Sequence, residues 1–526
     1  MEKKLRISPY IIAILAVFLV VGNGCKESFF EGDAGDRITP DQHYKSVQDG
    51  LSSAQGALVS YQDIVPQLIL LNGLRSDLME VTPNAEPYLR EINYHTLSGN
   101  NPFADASPLY QVIININEVL KHIDKIAETD KEYDELTSYQ AKGVLIGLRA
   151  YTYLTLIRLY NKASYIESNY ETLPDNLYQN VLNREELLDI LIKQMEAFFE
   201  SELTSSKYEA LRLEHYPNNK AVLGELYLES GMYAEAAQWL KDACEYYDNQ
   251  VSSSEQRSLL KVDQSYKDEG WASIFLNSAS QRLENMMVVP YTRSEGQFNP
   301  LAEWLLPHLS YLVKPTSIVI DSMMSQVQLN GDTLDGFRGP VNVMFQDMVM
   351  NPDSTYSYIN PYINKYSVDV NNPESSDIIL SRAADIHLML AEAFNRMGDE
   401  ESQKYALMLL NQGVNNENPK PPLFSRWTNN LGIRGRAYLK SREVPERDSI
   451  PLEERTLLIE DLIIAERAME LAFEGKRWFD LVRIAERRND PAYLADKVAA
   501  KFEGTEHYEA VRNRLMNPES WYLPFE

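Results

Sequence analysis

The helical period governs almost every segment of this 526-residue chain in which apolar residues recur at all. Between Tyr139 and Tyr160, the residues Leu145, Leu148, Tyr151, Tyr153, Leu156 and Leu159 return at spacings of mostly three, which sets them along a helix face. From Lys220 to Asp248 the pattern becomes more specific. Leu223, Gly224 and Tyr227 fall on one helix, Gly231 at a turn, and Tyr233, Ala236, Leu240 and Ala243 on the next. Small residues at those places let two helices touch while a large one fills the groove beside them, which is tetratricopeptide spacing. One such pair cannot bury its own apolar face, so neighbouring pairs are required. Gln140–Tyr160 with Glu185–Glu200, Glu454–Glu474 with Arg477–Arg488, and a degenerate copy at Asp385–Asn415 are the candidates. The expected fold is mainly α, with tetratricopeptide-like helix pairs packed into one body over residues 41–526 and long loop-rich excursions between them.

Residues 1–24 have a different character. Lys3, Lys4 and Arg6 precede an unbroken apolar run from Ile11 to Val21, and Gly22, Asn23 and Gly24 lead into Cys25. The order of charged, apolar and small blocks is that of an export signal, and the apolar run is too short to span a bilayer comfortably. Cys25 and Cys244 are the only cysteines. Cys25 stands where a small-residue cleavage site ends, so the expected chemistry is thioether lipidation, with residues 25–40 as an acidic tether carrying Glu27, Glu31, Asp33 and Asp36. Cys244 lies on an apolar helical pattern and reads as a buried small hydrophobe. The formal net charge of −27 repels nucleic-acid phosphates and anionic headgroups, so no nucleic acid is expected as a partner and the membrane is met only through the lipid.

Two stretches, 77–107 and 290–366, lose the helical period and become rich in Pro, Asn, Gly and aromatics. The first carries Tyr88, Tyr94, His95, Asn100, Asn101 and Phe103; the second carries Tyr291, Arg293, Phe298, Trp304, Tyr311, Phe337 and Arg338. Long excursions in a folded chain are usually functional or disordered, so a binding site is sought there, against the plainer reading that the rings only anchor loops. Elsewhere, Glu466, Glu470 and Glu474 at spacings of four form a carboxylate stripe, and a glycosidase needs two carboxyls flanking a sugar. With Arg467, Arg477 and Arg483 close by, the stripe reads instead as an ion-paired helix corner turning at Gly475 and packed by Trp478 and Phe479. His43, His95, His122, His215, His308, His387 and His507 show no metal-ligand spacing. There is no phosphate-cradling glycine loop, nucleophile elbow or dinucleotide fingerprint, so no metal, cofactor or catalysis is expected.

The block Glu466–Arg483, centred on Phe473-Glu474-Gly475-Lys476-Arg477-Trp478-Phe479-Asp480, and the ending Asn517-Pro518 with Trp521-Tyr522-Leu523-Pro524 resemble the SusD/RagB family of Bacteroidetes outer-membrane lipoproteins. Leu109-Tyr110 with Ile113 and Asn117, Leu148-Arg149-Ala150-Tyr151, the repeat from Lys220, and Arg382-Ala383-Ala384-Asp385 follow in the family's order, with a signature region at 377–526. The chain departs from the pattern at Asn161, where glycine is common, at Gly147, where alanine is common, and at Gly22 in the lipidation motif.

The resemblance implies a cell-surface lipoprotein that binds glycans and hands them to a SusC-like TonB-dependent porin in the outer membrane. Sugar recognition asks for flat rings and for planar amide, carboxylate or guanidinium groups. Tyr291 and Arg293 follow Glu284–Val289, which matches the family's stretch before its central ligand loop, and Trp304 and Tyr311 come shortly after; Arg75, Asp77, Asn100 and Asn101 supply the first excursion's candidates. The rival readings are a lid or adaptor that binds only the transporter, a RagB-like peptide binder, and a glycoside hydrolase using the glutamate stripe.

Overall fold

A continuous helical period demands burial, and the fold meets that demand by stacking helices so that several are covered on every side. The computed structural model describes residues 43–525 apart from 132–134, 168–179, 201–214, 248–253, 257–270, 277–283, 333–337, 354–355, 370 and 428–429. The signal, Cys25, the tether and Phe337 therefore lie outside the described residues. In chain order the first half holds α1 (Val47–Gln62), α2 (Val65–Arg75), β1 (Met79–Val81), α3 (Pro87–Asn93), α4 (Ser107–Thr129), α5 (Glu135–Tyr160), α6 (Arg184–Glu200), α7 (Asn219–Glu229) and α8 (Tyr233–Cys244). The second half holds β2 (Asn285–Val289), α9 (Pro300–Leu305), β3 (Val313–Pro315), α10 (Ser317–Met324), β4 (Val343–Met350), β5 (Tyr356–Ile363) and β6 (Ile378–Arg382), then α11 (Ala383–Met397), α12 (Glu400–Leu410), α13 (Leu452–Glu470) and α14 (Arg477–Arg488). Among the described residues no helix is long and apolar enough to cross a membrane.

The expected helix pairs are present. A Cβ on Gly224 of α7 would stand 2.7 Å from the Leu240 side chain and 3.0 Å from its backbone nitrogen on α8, so glycine is what allows the two helices to touch there. Cys244 ends α8 fully buried. The stretch read as a degenerate copy is a complete pair: α11 closes on Gly398 in the left-handed region, and Asp399 caps α12 by accepting from the Ser402 N–H. Of the three departures from the family pattern, Gly22 lies outside the described residues and the other two have local causes. Asn161 takes φ +59° at the end of α5, a conformation natural to glycine and next most accessible to asparagine. A Cβ at Gly147 would fall 1.9 Å from Oδ1 of Asn219, a buried side chain that donates to the Gly143 carbonyl at 2.7 Å.

The excursions are more regular than their composition suggests. Residues 290–366 contain α9, α10 and an antiparallel hairpin of two eight-residue strands, β4 and β5, while 77–107 contains β1 and α3. β1 pairs with β3 in the register Met79↔Pro315, and the Thr316 hydroxyl donates to the Asp77 carbonyl at 2.7 Å, so the excursions are stitched to each other. Lys501 joins the two ends of the chain. Its buried ammonium donates to the carbonyls of Leu74, Ser76 (2.8 Å) and Met79 (3.3 Å), and burial pushes its pKa down to about 7.

Helix α13 is one turn shorter than the sequence pattern predicts. It stops at Glu470, and Phe473 and Gly475 turn the chain with φ +67° and +74°. The reason is electrostatic: Glu474 is drawn off the helix stripe to Lys365 (2.7 Å) and Arg382 (2.9 Å). Glu466 meets Arg338 at 2.6 Å and also Arg434; Glu470 meets Arg338 at 2.7 Å, Arg382 at 2.8 Å and Arg436. Glu284 completes the set with Arg436 at 2.8 Å and Arg382 at 3.2 Å. All nine side chains are buried. Burial alone would raise the three stripe carboxyls, but the guanidiniums outweigh it and hold them below the usual glutamate range. The ion-paired corner is therefore present, with different partners from those expected nearby in sequence. Arg467 pairs with Asp385 and Asp480, Arg477 with Asp77, and Arg483 with Glu392 and Asp480.

Removing one cation should expose how much the lattice carries. Arg382→Met leaves three carboxylates buried together and should lower unfolding free energy by about 3–5 kcal/mol in urea titrations; a loss under about 1 kcal/mol would contradict this account. His387 gives a pH prediction. It is buried, its Nδ1 lies 2.6 Å from the Ala383 carbonyl and its Nε2 lies 3.1 Å from Asn430 Nδ2; burial lowers its pKa to about 4. Unfolding restores a value near 6.5, so the unfolded chain binds the proton first and stability falls as pH drops from about 6.5 towards 4. At pH 5.5 the loss from this group should be about 1.4 kcal/mol relative to pH 7.5, and His387→Gln should remove that share of the slope.

Candidate functional site

Pairing of β1 with β3 brings the two excursions side by side, and the β4–β5 hairpin stands against them. Tyr311 ties the junction: its φ is +46°, its hydroxyl donates to the Pro361 carbonyl of β5 at 2.7 Å, and its own carbonyl accepts from the Thr82 hydroxyl. A cavity of about 320 Å³ opens here, between Leu306–His308 after α9, Phe345, Gln346 and Tyr362 on the hairpin, and Asn364, Ser367 and Pro373 beyond it. That size is at the small end of ligand pockets. Phe345 and Tyr362 are half-buried and offer flat apolar surface; His308, Gln346, Asn364 and Ser367 add hydrogen-bonding groups, of which Gln346 Oε1 accepts from Asn360 at 2.9 Å and the Ser367 hydroxyl donates to the Asn364 carbonyl at 3.2 Å. Burial raises the Tyr362 pKa, which keeps the phenol protonated as both donor and acceptor. No Asp, Glu, Lys or Arg lines the cavity.

A second cavity, about 490 Å³, lies between α6, the α7–α8 turn and α14. Its less exposed charged groups meet charged partners, while Glu185 stands exposed at the wall. Arg184 meets Glu229 and, at 3.2 Å, Glu486, while Arg487 meets Glu460 and Glu392 and lies over the Tyr233 ring. Burial would raise Glu229, yet Arg158 and Arg184 bring it down to about 2. Of its two aromatic rings, Tyr233 lies under the Arg487 guanidinium and Trp521 is buried.

The structure separates the sequence candidates into two groups. Trp304 is half-buried on α9, packs on the core edge, and directly precedes the cavity segment Leu306–His308. Arg293 is exposed near the rim and pairs with Glu374 at 2.8 Å, next to Pro373. Tyr311 holds the cavity wall through Pro361, and Asn100 is exposed on the turn before Pro102.

The other four are spent on protein partners. Arg75 is buried against the Trp478 ring at 4.2 Å and donates to the Trp521 carbonyl; Asp77 is gripped by Arg477 through bonds of 2.8 and 2.7 Å. Tyr291 is buried with its hydroxyl on the Gln62 carbonyl at 3.1 Å. Asn101 caps the turn Pro102–Ala104 and donates to Tyr88 and Glu91. The sequence reading missed Phe345, Gln346, Tyr362, Asn364 and Ser367, and noticed His308 only as a histidine. A signal for the hairpin was present: two runs rich in Val, Met, Phe, Tyr and Ile flank the turn residues Asn351-Pro352-Asp353.

Comparison with known proteins agrees with this architecture. The model of the SusD family matches residues 261–525. SusD-like protein P38 of Formosa agariphila is 24% identical over 506 residues, covering 89% of this chain and 90% of that protein. Among solved structures, a SusD superfamily protein from Bacteroides vulgatus aligns with a TM-score of 0.61 at 14% identity, over 89% of this chain and 92% of that one. A SusD homolog from Bacteroides thetaiotaomicron gives 0.62 at 13% over 91% and 94%. A laminarin binding SusD-like protein gives 0.58 at 16% over 87% and 95%. Since the matched region runs through β2, the hairpin, the buried ion lattice and the C-terminal helices, the chain belongs to the SusD family.

Proposed function

We propose that this chain is a surface lipoprotein that captures a short oligosaccharide in the cavity beside the hairpin and passes it, intact, to a SusC-like TonB-dependent transporter. The observation that carries the reading is the cavity wall, where two half-buried rings stand among hydrogen-bonding groups that include no Asp, Glu, Lys or Arg. Such a wall covers the C–H face of a pyranose while amides, hydroxyl and imidazole meet its ring hydroxyls. The laminarin binding protein of the same fold supports the ligand class. Hydrolysis by the glutamate stripe is unsupported, because its carboxyls are buried, ionised and clamped, whereas a glycosidase acid must reach the sugar with a raised pKa. Lipid on Cys25 would hold the protein at the outer membrane.

Calorimetric titration of the unlipidated mature chain against neutral and acidic oligosaccharides, with product analysis of each mixture, tests the reading. Binding without cleavage is expected, and Phe345→Ala and Tyr362→Ala should each weaken it about tenfold, or about 1.4 kcal/mol. Cleavage would overturn capture; silence across a broad panel would favour a protein-only lid or a peptide ligand. Cys25→Ser should abolish metabolic lipid labelling, and labelling that persists would refute the anchor.

A further inference from the structure

Charge around the cavity is arranged asymmetrically, and this bears on which sugars can enter. The lining carries no ionised carboxylate, ammonium or guanidinium group. Its surroundings carry carboxylates: Asp347 follows Gln346 and shares the strand face of Phe345, and Asp369 lies two residues beyond Ser367. Among the described residues neither acid is paired with a lysine or arginine. The cations nearest in the chain are engaged elsewhere: Arg293 by Glu374 at 2.8 Å, Lys314 by Glu80 at 3.1 Å, and Lys365 and Arg338 inside the ion lattice. An anionic sugar would thus leave water for a chamber without a lysine or arginine counter-ion, next to two carboxylates unpaired with either, in a chain of net charge −27.

Resting on the capture reading above, we infer that this site selects neutral saccharides and excludes uronic and sulfated ones, with Asp347 and Asp369 as the excluding charges. Attraction to the neutral ligand comes from the rings and the uncharged groups, and rejection of the charged one comes from repulsion at the mouth.

The test is calorimetry on matched pairs that differ at C6: galactose against galacturonic acid oligosaccharides, mannose against mannuronic, and glucose against glucuronic. In any pair that binds, the neutral member should be tighter by about tenfold or more at low salt, with the gap shrinking as salt rises. Asp347→Asn/Asp369→Asn should narrow the gap by strengthening the uronate member. Equal or tighter binding of a uronate overturns the inference and leaves capture standing; a gap that the double variant leaves intact overturns the role of the two acids; and absence of binding in every pair removes both readings together.

Discussion

Nine charged side chains without access to water are the constraint around which this fold is arranged. Taking four carboxylates and five cations out of solvent costs several kcal/mol per ion unless each finds partners of good geometry. Here every glutamate of the set meets at least two cations, and Arg382 alone reaches Glu284, Glu470 and Glu474. The members come from far-separated parts of the chain. Arg338 precedes the hairpin and Lys365 follows it, so both roots of the hairpin are fixed to the corner between α13 and α14. The cavity beside the hairpin inherits its position from ion pairs that never touch a ligand. The pairs that set its position are ionic, whereas its lining holds no Asp, Glu, Lys or Arg.

Helices were legible because their period is a local property. Tyr139–Tyr160 and the Gly224–Leu240 contact follow from spacing alone, and even the departures at Asn161 and Gly147 have causes within reach of one or two side chains. The glutamate stripe was legible as paired charge but not as a set of partners, since Arg338 lies 128 residues from Glu466 and nothing in the local sequence names it. The candidate site was the least legible. Arg75, Asp77 and Asn101 have the chemistry a sugar hydroxyl wants, and that same chemistry satisfies a backbone carbonyl, a buried guanidinium or a turn. Type alone cannot separate the two uses. The hairpin that builds the cavity was hidden by composition: exposed Met344, Val349, Met350 and Ile359 blur the alternation by which a half-buried strand is recognised.

The two cavities make the same point about charge. The larger one is walled in large part by arginines and glutamates held in ion pairs. The smaller one has no Asp, Glu, Lys or Arg in its lining and keeps its rings half open. A sugar competes with water for hydrogen bonds, and it does so more readily against amides and hydroxyls than against salt bridges whose rupture would leave an ion buried.

Lys501 has a temporal consequence. The carbonyl of Leu74 that it caps lies 427 residues earlier in the chain. A polypeptide made from its N-terminus presents the end of α2 long before its ammonium partner exists, and contacts of such sequence separation form late because loop closure must precede them. The Lys501 latch on the end of α2 is therefore among the last contacts to form, whereas α1 can already pack on α4, about 60 residues on, while most of the chain is still to come.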